Sequence, residues 1–132
     1  MKLNTVLLAD DSRIFRALVC EVFRDHGIEV LEAANGSEAL QILTAKRPQL
    51  AILDALMPQL TGFDVLGKLR ESAPPDYHPI VFIVTAVYKS RQWEDKARQQ
   101  YEVDEYLEKP LEPEDLLAKV RRYFPDLGAK SG

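Results

Sequence analysis

The segment Leu50-Ala-Ile-Leu-Asp54 constrains the fold of this chain more than any other. Four apolar residues in a row, followed by a turn that Pro58 enforces, suit a strand buried on both faces. Strands of that kind belong to parallel sheets covered by helices on either side. Asp54 then stands at the strand's carboxyl end. In open α/β sheets ligands collect outside those ends, so an acid there is a candidate functional group. It is also placed to cap the following turn, since Asp favours turns.

The same pattern recurs along the chain. Leu3 to Ala9 reads as a buried strand that ends in Asp10 and Asp11. Ser12 can cap a helix in which Phe15, Leu18, Val19, Val22 and Phe23 fall at helical spacing, and Gly27 suits the left-handed residue after its end. A weaker strand, Ile28 to Glu32, turns through Ala33-Ala-Asn-Gly36 into a helix capped by Ser37, with Ala39, Leu40, Ile42 and Leu43, which Pro48 closes. Thr61 or Gly62 opens a third helix with Val65, Leu66 and Leu69 on one face, weakened slightly by Gly67.

The Pro-rich connector from Ser72 to Pro79 delivers Ile80 to Val84, the most apolar run, which stops at Thr85. Ser90 to about Gln100 fits a polar, solvent-covered helix, and Val103 to Leu107 a last strand ending at Lys109-Pro110. Pro113, Glu114 and Asp115 suit the first turn of a final helix whose buried stripe is Leu116, Leu117, Val120 and Phe124. Residues 1–125 thus read as one domain and 126–132 as a C-terminal tail.

This alternation predicts an α/β domain, a doubly wound five-stranded parallel sheet in the order 2-1-3-4-5. Strands 1, 3, 4 and 5 then lie side by side and bring Asp10, Asp11, Asp54, Thr85 and Lys109 to one pocket. Three carboxylates held together repel one another and favour a cation, and oxygen-only ligands point to Mg²⁺. A hydroxyl and an ammonium across from the metal match what a transferring phosphoryl group needs, with Asp54 as nucleophile forming an acyl phosphate. The plainer reading is a buried Lys109–Asp ion pair, with Thr85 satisfying backbone groups.

Composition closes off other classes. At 132 residues the chain fits one domain. With 46% hydrophobic and 29% charged residues it is neither disordered nor fibrous. A net charge of −4 offers no general attraction to nucleic acid or anionic membrane. The single Cys20 excludes an internal disulfide and suits a small core hydrophobe. No apolar run approaches a membrane span, so the protein is expected in the cytoplasm. Neither G-x-x-x-x-G-K-[ST] nor G-x-G-x-x-G occurs, which disfavours nucleotide binding. His26 and His78 stand alone and suggest no metal or catalytic role.

From about Leu3 to Phe124 the chain closely resembles the receiver domain of two-component response regulators, of the single-domain, chemotaxis-regulator-like kind. The motifs are Asp10-Asp11, Asp54-Ala-Leu-Met57-Pro58 with Gly62, Thr85-Ala86 after an apolar strand, and Tyr106-Leu-Glu-Lys109-Pro110. The resemblance implies the flavodoxin-like receiver fold and a phosphoacceptor Asp54 that takes its phosphoryl group from a phosphohistidine of a sensor histidine kinase or phosphotransfer protein. It further implies Mg²⁺ held by Asp11, Asp54 and the backbone carbonyl of Leu56, with Asp10 assisting through water, and Lys109 and Thr85 on the phosphoryl oxygens. Thr85 and Tyr106 would be the switch that changes the surface of helix 4, strand 5 and helix 5, bordered by Trp93, Arg98 and Arg122, for a downstream protein target. Such a protein is a signalling receiver that catalyses only its own phosphorylation and dephosphorylation, as a monomer or a phosphorylation-dependent dimer.

The chain departs from that pattern at Glu102, where a small Gly often precedes the last strand. Leu56 and Val87, at positions that tune access of hydrolytic water, are both apolar, which predicts slow self-dephosphorylation. No effector region follows, so the chain either docks a partner or belongs to a longer one. Two rivals remain: a constitutive adaptor of the same fold, and a Mg²⁺-dependent aspartyl-phosphate phosphohydrolase. The latter usually wants a second acid two residues after the nucleophile, where Leu56 stands.

Overall fold

The computed structural model describes residues 2–86 and 91–128; Val87 and Ser90 lie outside the described residues. Five strands, β1 (Thr5–Ala9), β2 (Glu29–Ala33), β3 (Leu50–Asp54), β4 (Ile80–Thr85) and β5 (Glu105–Glu108), alternate with five helices. The helices are α1 (Arg13–Asp25), α2 (Gly36–Lys46), α3 (Gly62–Ser72), α4 (Arg91–Gln100) and α5 (Pro113–Arg121). All strand pairs are parallel and the sheet order is β2-β1-β3-β4-β5, as the sequence predicts.

Period-two alternation along the strands sends side chains into two cores, one on each face of the sheet. Val6, Leu8, Leu50, Ile52, Phe82 and Val84 pack with Val19 and Phe23 of α1 and Leu116 and Val120 of α5. Leu7, Ala9, Ala51, Leu53, Val81 and Ile83 pack with Leu43 of α2, Leu66 and Leu69 of α3 and Ala97 of α4. Every residue of β3 is buried, which is why that segment carries no polar face before Asp54. Each fully buried Leu or Ile there contributes about 1.5–3 kcal/mol, so the strand that carries Asp54 is firmly held.

Helix starts follow local chemistry. Ser12 caps α1 by accepting from the Phe15 amide, and Thr61 and Asp64 form a reciprocal capping box at α3. The cap of α2 is Asn35 rather than Ser37: its side chain accepts from the Glu38 amide, and Gly36 is already helical. Gly27 is left-handed (φ 74), as a residue after a helix end should be. Leu18, expected in the buried stripe of α1, is 49% exposed, because the buried arc is centred on Val19, Cys20 and Phe23.

The last strand begins later than its apolar pattern suggests. Asp104 exchanges both its amide and its carboxylate with the backbone of Val81, at 2.8 Å each, so a side chain replaces a ladder bond and β5 starts at Glu105. Glu102, at the position where a glycine is common, adopts φ 57. That left-handed geometry costs about 1–2 kcal/mol for a residue with a Cβ. Its exposed carboxylate pairs with His78 at 3.4 Å and Arg70 at 3.9 Å, contacts too solvated to offset much of that cost. Pro125–Gly128, read from sequence as tail, form a 3-10 turn that places Leu127 in the α1/α5 core.

Candidate functional site

The site forms where β1 and β3 end side by side. Asp10 follows β1 and Asp54 closes β3; both are buried, while Asp11 is exposed. One carboxylate oxygen from each of Asp10, Asp11 and Asp54 lies within 4.8 Å of the others. Lys109, just past β5, reaches across: its Nζ is 2.7 Å from Asp10 Oδ2 and 3.7 Å from Asp54 Oδ2. The elements that sequence pattern placed separately therefore do converge.

Backbone bonds fix each acid. Asp10 Oδ1 accepts the Ser12 amide at 2.8 Å, so the turn that starts α1 also orients that carboxylate. The Asp10 amide donates to Ala33 O (3.0 Å), and its carbonyl accepts from Arg16 Nη1 (2.6 Å), whose Nε also bonds Glu32. Asp54 Oδ1 accepts the Leu56 amide at 3.2 Å. Behind it, Ala55 donates to Val84 O and Gly62 donates to Ala55 O, both at 3.0 Å. The Lys109 amide donates to Thr85 O at 2.8 Å, and the Lys109–Pro110 peptide bond is cis.

Among the described residues one ammonium, that of Lys109, faces the three carboxylates, so negative charge is in surplus there. Burial, and then the neighbouring Asp10, push the Asp54 carboxyl up to about 6; Lys109 and the Leu56 amide oppose the rise and Asp11 adds to it. This is more than an ordinary buried ion pair, in which the charges would balance. An all-oxygen donor set of three acids, with surplus negative charge, fits Mg²⁺ and not a soft metal. The thiol of Cys20, by contrast, is buried and pushed up to about 11, which makes it inert as a nucleophile.

Thr85 is fully buried at the end of β4, and Tyr106 is buried in β5 opposite Ile83. Thr85 follows Ile83 by two residues and so shares its face of the sheet, the face on which Tyr106 packs. Leu56 is 45% exposed in the loop after Asp54. Near the edge of β5, Trp93 is half-buried and stacks on Phe63 with centroids 5.8 Å apart. Arg98 and Arg122 are not free surface charges: both pair with the buried Glu105, at 3.4 and 3.3 Å. His26 Nδ1 lies 3.0 Å from Val22 O within its own helix end, away from the acids in sequence and bonding.

Sequence reasoning missed two side chains. Glu105 was not singled out from the sequence, yet it is buried in β5 and pairs with both Arg98 and Arg122. Phe15 was assigned to the helix stripe, but its ring also lies under Lys109 Nζ, 4.6 Å from the centroid. No spacing rule connects residues that far apart in the chain.

Known proteins share this fold. The sporulation initiation phosphotransferase F of Bacillus subtilis is 30% identical over 91% of this chain and 93% of its own length. Response regulator MprA of Mycolicibacterium vanbaalenii is 35% identical over 94% of this chain, which spans about half (53%) of that relative. Among solved structures, chemotaxis response regulator CheY4 of Vibrio cholerae superposes with a TM-score of 0.81 at 30% identity, covering 92% of this chain and 98% of that one. The sequence profile described as the response regulator receiver domain matches residues 6–121, so the chain belongs to the receiver-domain family of two-component signalling.

Proposed function

We propose that this chain is a phosphorylation-controlled binding module in which Asp54 is the phosphoacceptor. The observation that carries the reading is the Asp54 carboxylate, 7% exposed at the end of the central strand, sharing its pocket with two further acids and one ammonium. With its pKa near 6, the carboxyl is mostly ionised at neutral pH and keeps a lone pair for attack. An Asp54 oxygen bonds to phosphorus as the P–N bond of the donor phosphohistidine breaks, and the imidazole leaves with the electron pair and takes a proton. Lys109, 3.7 Å from Asp54, would bind a phosphoryl oxygen, and Thr85, at the end of the neighbouring strand β4, would meet another.

Asp11, Asp54 and the Leu56 carbonyl would hold Mg²⁺, with Asp10 assisting; when bound, the ion offsets the surplus negative charge and that of the phosphoryl oxygens. The readout is a shift of Thr85 toward the phosphoryl group and of Tyr106 into the space released, on the face both share. The test is intact mass after incubation with Mg²⁺ and acetyl phosphate. One added phosphoryl group that disappears with chelator supports the reading. No adduct, and no binding of beryllofluoride, would leave a constitutive adaptor.

The donor is a protein, a sensor histidine kinase or phosphotransfer protein. Ile14 (75% exposed), Leu18 (49%) and Leu56 (45%) are the large exposed hydrophobics among the described residues; the first two lie on α1, which starts two residues after Asp11, and Leu56 follows Asp54 by two residues. Ile14 and Leu18 are one helical turn apart on α1 and present an apolar strip to an approaching partner. Ile14→Asp is expected to slow transfer from a phosphorylated protein donor by tenfold or more, about 1.4 kcal/mol for one buried contact, with acetyl phosphate uptake unchanged. Equal loss with both donors would show damage to the pocket and end the docking argument.

The exposed Leu56 side chain offers no hydrogen bond to an attacking water. Leu56→Asn is expected to shorten the phosphoryl lifetime roughly tenfold, the effect of one hydrogen bond to that water. An unchanged decay rate, followed by loss of mass after donor removal, would dismiss the idea.

A further inference from the structure

We infer that Phe15 is a positioning residue for the Lys109 ammonium, holding it over the ring face at the mouth of the acid pocket. This rests on the proposed role of Lys109 as a phosphoryl ligand. The Lys109 Nζ lies 4.6 Å from the Phe15 ring centroid while bonding Asp10 at 2.7 Å and standing 3.7 Å from Asp54. The bond to Asp10 uses one of the three N–H donors of the ammonium and does not by itself fix where the others point. The negative face of an aromatic ring attracts the same charge without consuming an N–H donor, so a donor stays available for an incoming phosphoryl oxygen.

The ring is itself anchored. Phe15 sits in the first turn of α1, its amide donates to Ser12 Oγ at 3.3 Å, and its side chain packs on the α1/α5 core. The Lys109 backbone is held by its amide bond to Thr85 O, but the four-carbon stem is not, and only 18% of the side chain is exposed. Phe15 therefore adds to the Asp10 bond a second hold on the part of Lys109 that the sheet leaves loose. A leucine at position 15 could fill the core but could not hold a cation.

The test separates these roles by replacing Phe15 with mono-, di- and trifluorinated phenylalanines, which weaken the ring face at nearly constant volume. Acetyl phosphate uptake and beryllofluoride affinity are expected to fall step by step along the series, about two- to fivefold in total. Phe15→Leu should lie at or below the end of the series and Phe15→Trp should recover. A flat series with loss only in Phe15→Leu would reduce Phe15 to packing and overturn the inference. The upfield ring-current shift of the Lys109 Hε protons, read without any phosphodonor, checks the placement independently. Its absence overturns the inference, whereas its presence in a protein that takes up no phosphoryl group would overturn the proposed function and leave the hold of Phe15 on Lys109 standing.

Discussion

Asp54→Asn is expected to abolish phosphoryl uptake and, in the same protein, to raise the stability of the metal-free fold. The first effect follows from removing the only atom proposed to attack phosphorus; an amide oxygen is a far weaker nucleophile than a carboxylate. The second follows from proton linkage. The folded carboxyl is pushed up to about 6 from its usual 3.8, by burial first and the Asp10 charge second. Between those values the native state binds a proton that the unfolded chain does not, so stability falls as pH rises from about 4 to about 6. Its contribution is fully present below the unfolded value and gone above the folded one.

The shift of about two pH units sets a ceiling of about 3 kcal/mol on the cost of the ionised Asp54 at neutral pH. Asn carries no such charge. Urea or thermal unfolding in chelator from pH 4 to 8 should show a slope in the wild type that flattens in Asp54→Asn, with the variant more stable by on the order of 2 kcal/mol at pH 7.5. Mg²⁺ should then stabilise the wild type more than the variant, because only the wild type offers the third acid. Identical pH slopes in the two proteins would refute the charge argument, and uptake surviving in the variant would refute the assignment of Asp54.

Gly62→Ala is expected to cost about 3 kcal/mol and to damage the site more than its stability loss explains. A Cβ at Gly62 would stand 2.6 Å from the carbonyl oxygen of Asp54, 3.3 Å from the Ala55 Cα and 3.2 Å from Ile83 Cδ1. Two of those atoms are backbone at the end of the central strand. Relief therefore requires moving either α3 or the residue that carries the candidate nucleophile, and forced overpacking typically costs 1–3 kcal/mol or more. Gly67→Ala in the same helix is the control, since its Cβ would meet only Tyr101 Cε1 at 3.9 Å. That change should stabilise by up to about 1 kcal/mol, as Ala does in a helix interior. Urea midpoints of the two variants moving in the same direction would contradict the close approach of α3 to β3.

Much of the molecule was legible because its constraints are local or periodic. The run Leu50–Leu53 has no polar face, and a strand without one must be covered on both sides; α1 and α5 on one face and α2, α3 and α4 on the other supply that cover. The caps at Ser12 and Thr61 follow from side chains that reach amides three residues on. The parallel order then brings Asp10, Asp11, Asp54 and Lys109 together, because every strand of the sheet delivers its carboxyl end to the same edge.

Other features depended on contacts between residues far apart in sequence. Ser37 is as good a cap by type as Asn35, and the choice fell to Asn35 where Gly36 packs so tightly on Leu60 that a Cβ would overlap the Leu60 carbonyl. Leu18 fits a helical stripe, yet α5 and the sheet cover the arc beside it and leave it in solvent. Glu105 is buried beside Asp104, which holds the backbone of Val81, and Arg98 from α4 and Arg122 after α5 converge on its carboxylate. The ring of Phe15 under Lys109 joins residues 94 positions apart by charge and quadrupole, with no periodicity to betray it. Sequence by itself determined the alternation of elements, the two-faced burial of the sheet and the acids at its edge, since each arises from neighbours along the chain. Which side chains orient those acids and the lysine was decided only by tertiary structure, because those energies depend on distances across the fold that no spacing in the chain records.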